Sequence, residues 1–277
     1  MNNTTRNILS TILRHGFLIV GAAVSFLPFL WMLLLASHPS DIIYDFPPPL
    51  SFGTKFAENF TTVMSSINLW AAMFNTLIVS LTVTFLVLVI DSLAAFAFAQ
   101  FSFRGKNLLF MLVILTFLVP TQLATVPQFL IMTHLGWVGE LKAVIIPPLT
   151  AAFGIFWLRQ VFANTIRDEL LEAATLDGCG FFRQYFHVAL PSARPALAFL
   201  GMFTFIGAWN DFMWPLIVLT NPNRLTLQVA LSQLHSAHAT DYGMLMMGSL
   251  IAVIPLLIVF IIGSKQFISG ITDGAVK

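Results

Sequence analysis

Charge is what this chain has least of. Asp, Glu, Lys and Arg make up 9% of its 277 residues, against 58% hydrophobic, whereas a soluble globular domain carries about a quarter charged residues. So little polar surface cannot cover a water-soluble sphere, and an integral membrane protein is expected. The single cysteine, Cys179, excludes an internal disulfide framework. A net charge of +1 gives no electrostatic footprint for nucleic acid. The G-x-x-x-x-G-K-[ST] phosphate loop is missing too, since Gly105-Lys106 and Gly263-Ser-Lys265 lack the preceding glycine spacing. Neither G-x-S-x-G nor H-E-x-x-H occurs. His235 and His238 stand beside Asp241 without an evident fourth ligand, so no metal site is assigned.

What the chain does have is long apolar runs. A helix needs roughly 20 apolar residues to cross the hydrocarbon core, and six stretches qualify: about Phe17–Ala36, Ala72–Phe98, Leu108–Val119, Leu141–Leu158, Leu197–Leu219 and Met244–Ile262. The third is interrupted by Pro120, Gln122 and Pro127, which predict a break before His134, and the fourth contains Pro147-Pro148. No A-x-A-like cleavage site follows the first run, so a retained helix is expected there. The triple proline Pro47–Pro49 predicts extended or turned chain, and a short surface helix is expected around Asn59–Leu69. The fold class is therefore all-α with six transmembrane helices. Residues 1–16 form an N-terminal lead and 17–277 the membrane domain, with a tail from about 264 to 277.

Lys and Arg set the orientation. With the N-terminus inside, six spans place Arg6, Arg14, Arg104, Lys106, Arg159, Arg167, Arg183, Arg194, Lys265 and Lys277 on the cytoplasmic face. Lys55, Lys142 and Arg224 fall outside, ten against three of the 13 basic residues. Both termini are thus expected in the cytoplasm.

One polar island, about 159–195, lies on that same face. It carries four Arg and four acidic side chains among apolar residues at helical spacing. Asp168–Asp177 is a strong helix former with acids in its first turn, where they complement the helix dipole. Gly178 and Gly180 follow, where a positive-φ turn would stop the helix. Phe181–Leu190 can form a second short helix, ended by Pro191. By composition this could be a plain connection between spans or an elbow built to be gripped.

Glu172-Ala-Ala-x-x-x-Gly178 followed by Leu190-Pro191 resembles the EAA loop of the membrane subunits of bacterial ABC importers. Ser37-His-Pro-Ser-Asp41 resembles that family's first external loop, and Ala72-Ala-Met-Phe-Asn75 the opening of its second span. Trp209-Asn-Asp-Phe-Met-Trp-Pro-Leu216 and the tail Gly270–Lys277 are similar to its carbohydrate branch, the maltose-type G subunit and its glycerol-phosphate relatives. Cys179 departs from the small residue usual there.

The resemblance implies a permease subunit of the bacterial inner membrane. It implies a heterodimer with a homologous permease, two cytoplasmic ATPase subunits and an extracytoplasmic solute-binding protein. ATP and Mg would be bound by the ATPase, with no cofactor on this chain. The ATPase-coupling residues would be Glu172, Ala173, Ala174, Asp177, Gly178, Leu190 and Pro191. Sugars and glycerol phosphates or their diesters all stay open as solute.

Two acids, Asp91 and Asp211, fall inside expected spans, where an ionised carboxylate costs on the order of 3 kcal/mol at the helix centre. Each reads either as a path-lining acid or as a helix-packing or helix-capping one. Asn75, Trp209, Asn210, Asp211 and Trp214 are the candidate translocation-path or gate residues. A stand-alone secondary transporter or channel would need several coupled intramembrane acids, and a membrane enzyme an acid, His or Ser cluster at one depth. Neither pattern is evident.

Overall fold

The computed structural model describes the backbone of residues 3–275 other than 45, 48 and 236–240, and the side chains of 11–264 apart from these and 43–44. The elements described are helical, as they must be where no water is at hand to satisfy backbone groups. In chain order they are α1 (Asn3–Leu35), α2 (Phe56–Ser66), α3 (Leu69–Gln100), α4 (Lys106–Leu118), α5 (Thr125–His134), α6 (Lys142–Ile145) and α7 (Ala152–Thr165). Then come α8 (Asp168–Leu176), α9 (Phe181–Gln184), α10 (Leu190–Ser192), α11 (Arg194–Asn210), α12 (Met213–Val218), α13 (Leu227–Ser232) and α14 (Tyr242–Ala275).

Three stretches are long and apolar enough to cross a membrane alone: Thr11–Leu35, Leu69–Gln100 and Tyr242–Ser264. Three more qualify only as bent pairs. Lys106–Leu118 meets Thr121–His134 at 91°, Lys142–Leu149 meets Ala152–Thr165 at 41°, and Phe181–Ser192 meets Arg194–Asn210 at 82°. The 91° bend falls at Val119-Pro120, where the sequence predicts a break.

The N-terminal lead is helical from Asn3, and the last helix runs to Ala275 through the segment expected as a tail. Two expectations change. Pro191 does not end the second elbow helix, because a π-helical turn, Tyr185–Ala189, precedes it and α10 carries the chain through to Ser192. Ser192 Oγ there donates to the carbonyls of Val188 and Ala189, and the direction changes only at Ala193. The fifth span is not continuous from Leu197 to Leu219. It stops at Asn210, passes through extended Asp211 and restarts at Met213. Pro215 is the physical reason, since it has no N–H to give the Asp211 carbonyl one turn back.

The chain divides into two compact units. The first comprises the described residues up to Leu69 with Leu231–Ile254. There Asn59 donates to the carbonyls of Ala36 and His38, both at 2.9 Å, fastening the end of α1 to α2. Asp241 is spent on structure: its Oδ1 accepts from Ser40 Oγ at 2.9 Å and from the Met244 N–H at 3.0 Å, capping α14. His238 lies outside the described residues, so the His235/His238 pattern is not described as a whole.

The second unit comprises Trp70–Ala230 with the chain from Pro255 onward. Aromatic rings hold α4, α7 and α11 together: Phe117 meets Phe153 at 6.4 Å, Phe153 meets Phe203 at 5.3 Å and Trp157 meets Phe199 at 5.3 Å. Arg159 lies over the Phe110 ring at 4.1 Å and donates to the Phe98 carbonyl. At the head of α7, fully buried Asp91 accepts from the Ala151 N–H at 3.3 Å. Its Oδ2 is buried without a hydrogen-bond partner. Gly154 makes this approach possible, because a Cβ there would overlap that oxygen.

Candidate functional site

The polar island folds as a stapled elbow. α8 begins with Asp168 and Glu169 at its positive end and closes in a Schellman turn. The Cys179 N–H reaches the Ala174 carbonyl at 2.9 Å, and the Gly178 N–H reaches Thr175 at 3.0 Å. Gly178 takes φ +76°, the left-handed value expected from the sequence. Nothing crowds it, so the sign of φ and not space demands glycine. Gly180 is merely extended and caps α9. The Gln184 amide then ties the two arms, donating to Thr175 Oγ1 at 2.9 Å and to the Cys179 carbonyl at 3.1 Å.

The elbow hangs from α3. Tyr185, buried, shares a 2.7 Å hydrogen bond with Ser92 Oγ. The Phe96 ring meets Phe162 at 5.8 Å, Phe181 at 5.3 Å and Tyr185 at 5.9 Å. Ala189, Ala193 and Ala196 complete this core, with Leu190 packed on its edge. With its inner face so anchored, the elbow turns the rest outward. Glu172, Ala173, Asp177, Gly178 and Pro191 are exposed and Ala174 half-buried. Leu176 is 90% exposed, joined by Phe182 and Phe186. Beside them a groove of about 590 Å³ is lined by Gln100, Asp168, Leu171, Glu172 and Gln184, among others. This is a rigid projection with mixed apolar and acidic groups, suited to seating in a protein cleft.

The five path candidates separate. Asn75 spends its amide on the carbonyls of Asn223 (3.1 Å) and Leu225 (3.0 Å), fastening a loop. Trp209 is 1% exposed and stacked on Phe205 at 5.7 Å, within the packing. Asn210 returns its amide to the Ile206 carbonyl at 3.0 Å. Only Asp211 and Trp214 come together at a cavity. Asp211 accepts from the backbone N–H groups of Trp214 and Phe212, so it caps the restarted helix α12. It also lines two cavities, one of about 350 Å³ with Val79, Phe153 and Phe203, and one of about 380 Å³ with Thr121, Gln122, Thr125, Gln128 and Trp214. Trp214 is held there by its Nε1–H bond to the Ala143 carbonyl at 2.9 Å. Thr121, Thr125 and Gln128 were not among the sequence candidates. Their spacing of four and three puts them on one face of an otherwise apolar segment, and that stripe was the available signal.

Neither region gathers a nucleophile with an acid or base, and among the described residues no cluster of His, Cys, Asp and Glu could hold a metal.

Residues 91–267 match the family model described as "Binding-protein-dependent transport system inner membrane component". The chain is 32% identical to the arabinooligosaccharides transport system permease protein AraQ of Halalkalibacterium halodurans, with 100% of both chains covered. It is 30% identical to the lactose transport system permease protein LacG of Rhizobium radiobacter, again over 100% of each. It is 28% identical to the sn-glycerol-3-phosphate transport system permease protein UgpE of Salmonella typhi, over 95% of this chain and 96% of that one. Its fold is similar to a chain in the crystal structure of a bacterial ABC transporter involved in import of the acidic polysaccharide alginate. That match has a TM-score of 0.77 at 21% identity and covers 96% of this chain and 99% of the other.

Proposed function

Because the chain belongs to the binding-protein-dependent transport system inner membrane components, we propose that its elbow is the point at which a cytoplasmic ATPase drives it. The chain is a multi-pass permease subunit of an importer and not itself an enzyme. On this reading it crosses the membrane six times, each bent pair counting as one span, with both termini cytoplasmic. A homologous permease supplies the other half of the pathway, and two ATPase subunits bind ATP and Mg beneath them. A soluble binding protein delivers a sugar or glycerol-phosphate-like solute from outside. Nucleotide-driven closure of the ATPase pair moves the elbow, and the elbow rocks the helices between outward and inward access.

One observation carries the coupling role: the elbow is braced inward and open outward. The Tyr185–Ser92 bond, the ring cluster around Phe96 and the Gln184 staple fix its inner side. Glu172, Leu176 and Phe182 stand exposed on the outer one. A braced projection transmits displacement where a loose loop would absorb it. Copies carrying Gly178→Pro or Glu172→Lys should insert normally yet fail to retain an ATPase in mild detergent, or fail to stimulate its hydrolysis. Proline cannot reach φ +76° and deletes the N–H to Thr175, a change worth about 3 kcal/mol or more in a helix context. Full stimulation by both variants would remove the elbow from the coupling path.

A further inference from the structure

We propose that the basic corner where the end of α3, the start of α4 and the middle of α7 meet binds the headgroup of an anionic phospholipid. The acyl chains lie along the outer face of α4. This needs only that these helices stand in a bilayer, and it is independent of the coupling role of the elbow.

Three cations gather at this corner. Arg159, half-buried on α7, reaches two other helices: its guanidinium lies over the Phe110 ring of α4 at 4.1 Å, and its Nε–H donates to the Phe98 carbonyl of α3 at 3.3 Å. Lys106 stands one helical turn before Phe110 and so shares its face of α4. Its Nζ donates to the Phe101 carbonyl at 2.8 Å. The Phe98 ring meets Phe103 at 5.8 Å and Phe110 at 5.5 Å, which folds the turn bearing exposed Arg104 onto the same corner. A basic side chain that only snorkels moves with the lipid; Arg159 is pinned. A guanidinium carries five N–H donors and an ammonium three, and Arg159 and Lys106 each spend one on protein among the described residues.

What the corner lacks is an anion. Neither α4 nor α7 contains Asp or Glu, and none of the three cations is in an ion pair among the described residues. Asp168 and Glu172, in the elbow groove that Phe101 also lines, pair with none of them. Like charges brought together repel; a phosphate diester offsets that repulsion and takes up the unspent donors, with the guanidinium fork matching two of its oxygens. A zwitterionic headgroup would bring a fourth cation to the same place. Along α4 from this corner, Leu108, Leu109, Met111, Leu112 and Leu115 are each about half exposed. A ligand with an anionic head and an apolar body answers both features, as basic pockets between spanning helices do for anionic lipids. A soluble phosphate would answer only the first.

The test uses the full-length protein with its associated subunits in mild detergent. Native mass spectrometry follows the first lipid bound during titration with phosphatidylglycerol or with phosphatidylcholine of the same acyl chains. Phosphatidylglycerol should bind the more tightly. Arg104→Gln and Lys106→Gln should each weaken it by about fivefold, the usual worth of one basic residue beside an anionic headgroup, and leave phosphatidylcholine unchanged. Arg159→Gln should weaken it at least as much and Arg159→Lys less. The Arg104 and Lys106 variants keep the test decisive if loss of the Arg159 contacts unsettles the packing. Equal affinity for the two lipids, or a preference for phosphatidylglycerol that survives both of those variants, overturns the site. Displacement of the lipid by millimolar inorganic phosphate overturns it too, since the corner would then take a soluble anion.

Discussion

Asp91 and Asp211 do the same local job in opposite surroundings. Each accepts backbone N–H at the start of a helix that follows a break, Asp91 at α7 and Asp211 at α12. Asp91 is sealed: it is wholly buried, and Gly154 lies so close that any side chain there would strike it. Asp211 opens onto two cavities, one of them lined by hydroxyls and amides. An intramembrane acid is therefore not enough to mark a path. The neighbours decide, by whether they close on the second oxygen or leave room before it.

That contrast can be broken most severely at Gly154. Gly154→Val should lower the thermal stability of the detergent-purified protein by about 1–3 kcal/mol through overpacking against Asp91. Adding Asp91→Ala should recover part of the loss, since the two positions touch; a double variant no better than the single would show that their contact is not what limits the site. Asp211→Ala comes next. It removes the acceptor for two N–H groups at the head of α12 and should cost about 1 kcal/mol, the usual worth of such a cap, in the same unfolding measurement. The smallest effect belongs to Asp211→Asn, which keeps a capping oxygen and should stay within about 0.5 kcal/mol of the parent. Its solute uptake in proteoliposomes should nonetheless fall. Unchanged uptake with unchanged stability would make Asp211 as purely structural as Asp91.

Legibility in the sequence followed the reach of each signal. The Gly178 turn could be read because it is written in consecutive residues: a helix former, a glycine, then aromatics. The 91° bend was announced by Pro120. The gap at Asp211 was hidden because Trp209–Leu219 is apolar enough to pass as unbroken span, although Pro215, one turn on, was the warning. The π-turn before Pro191 was not read, although a proline there removes an N–H from the helical ladder, and the Tyr185–Ser92 bond beside it spans 93 positions. Trp209 drew attention by its company in the motif, yet it packs on Phe205. Thr121, Thr125 and Gln128 gain meaning only once the bend brings their face opposite Trp214.

The length of α3 has one more consequence. Its 32 residues span about 48 Å at 1.5 Å each, well beyond a hydrocarbon layer of about 30 Å. The residues that carry the elbow, Ser92 and Phe96, sit in the last third of that rod. An elbow fastened that near one end of a long rod moves with the rod, so a small tilt of α3 becomes a larger displacement of the joint.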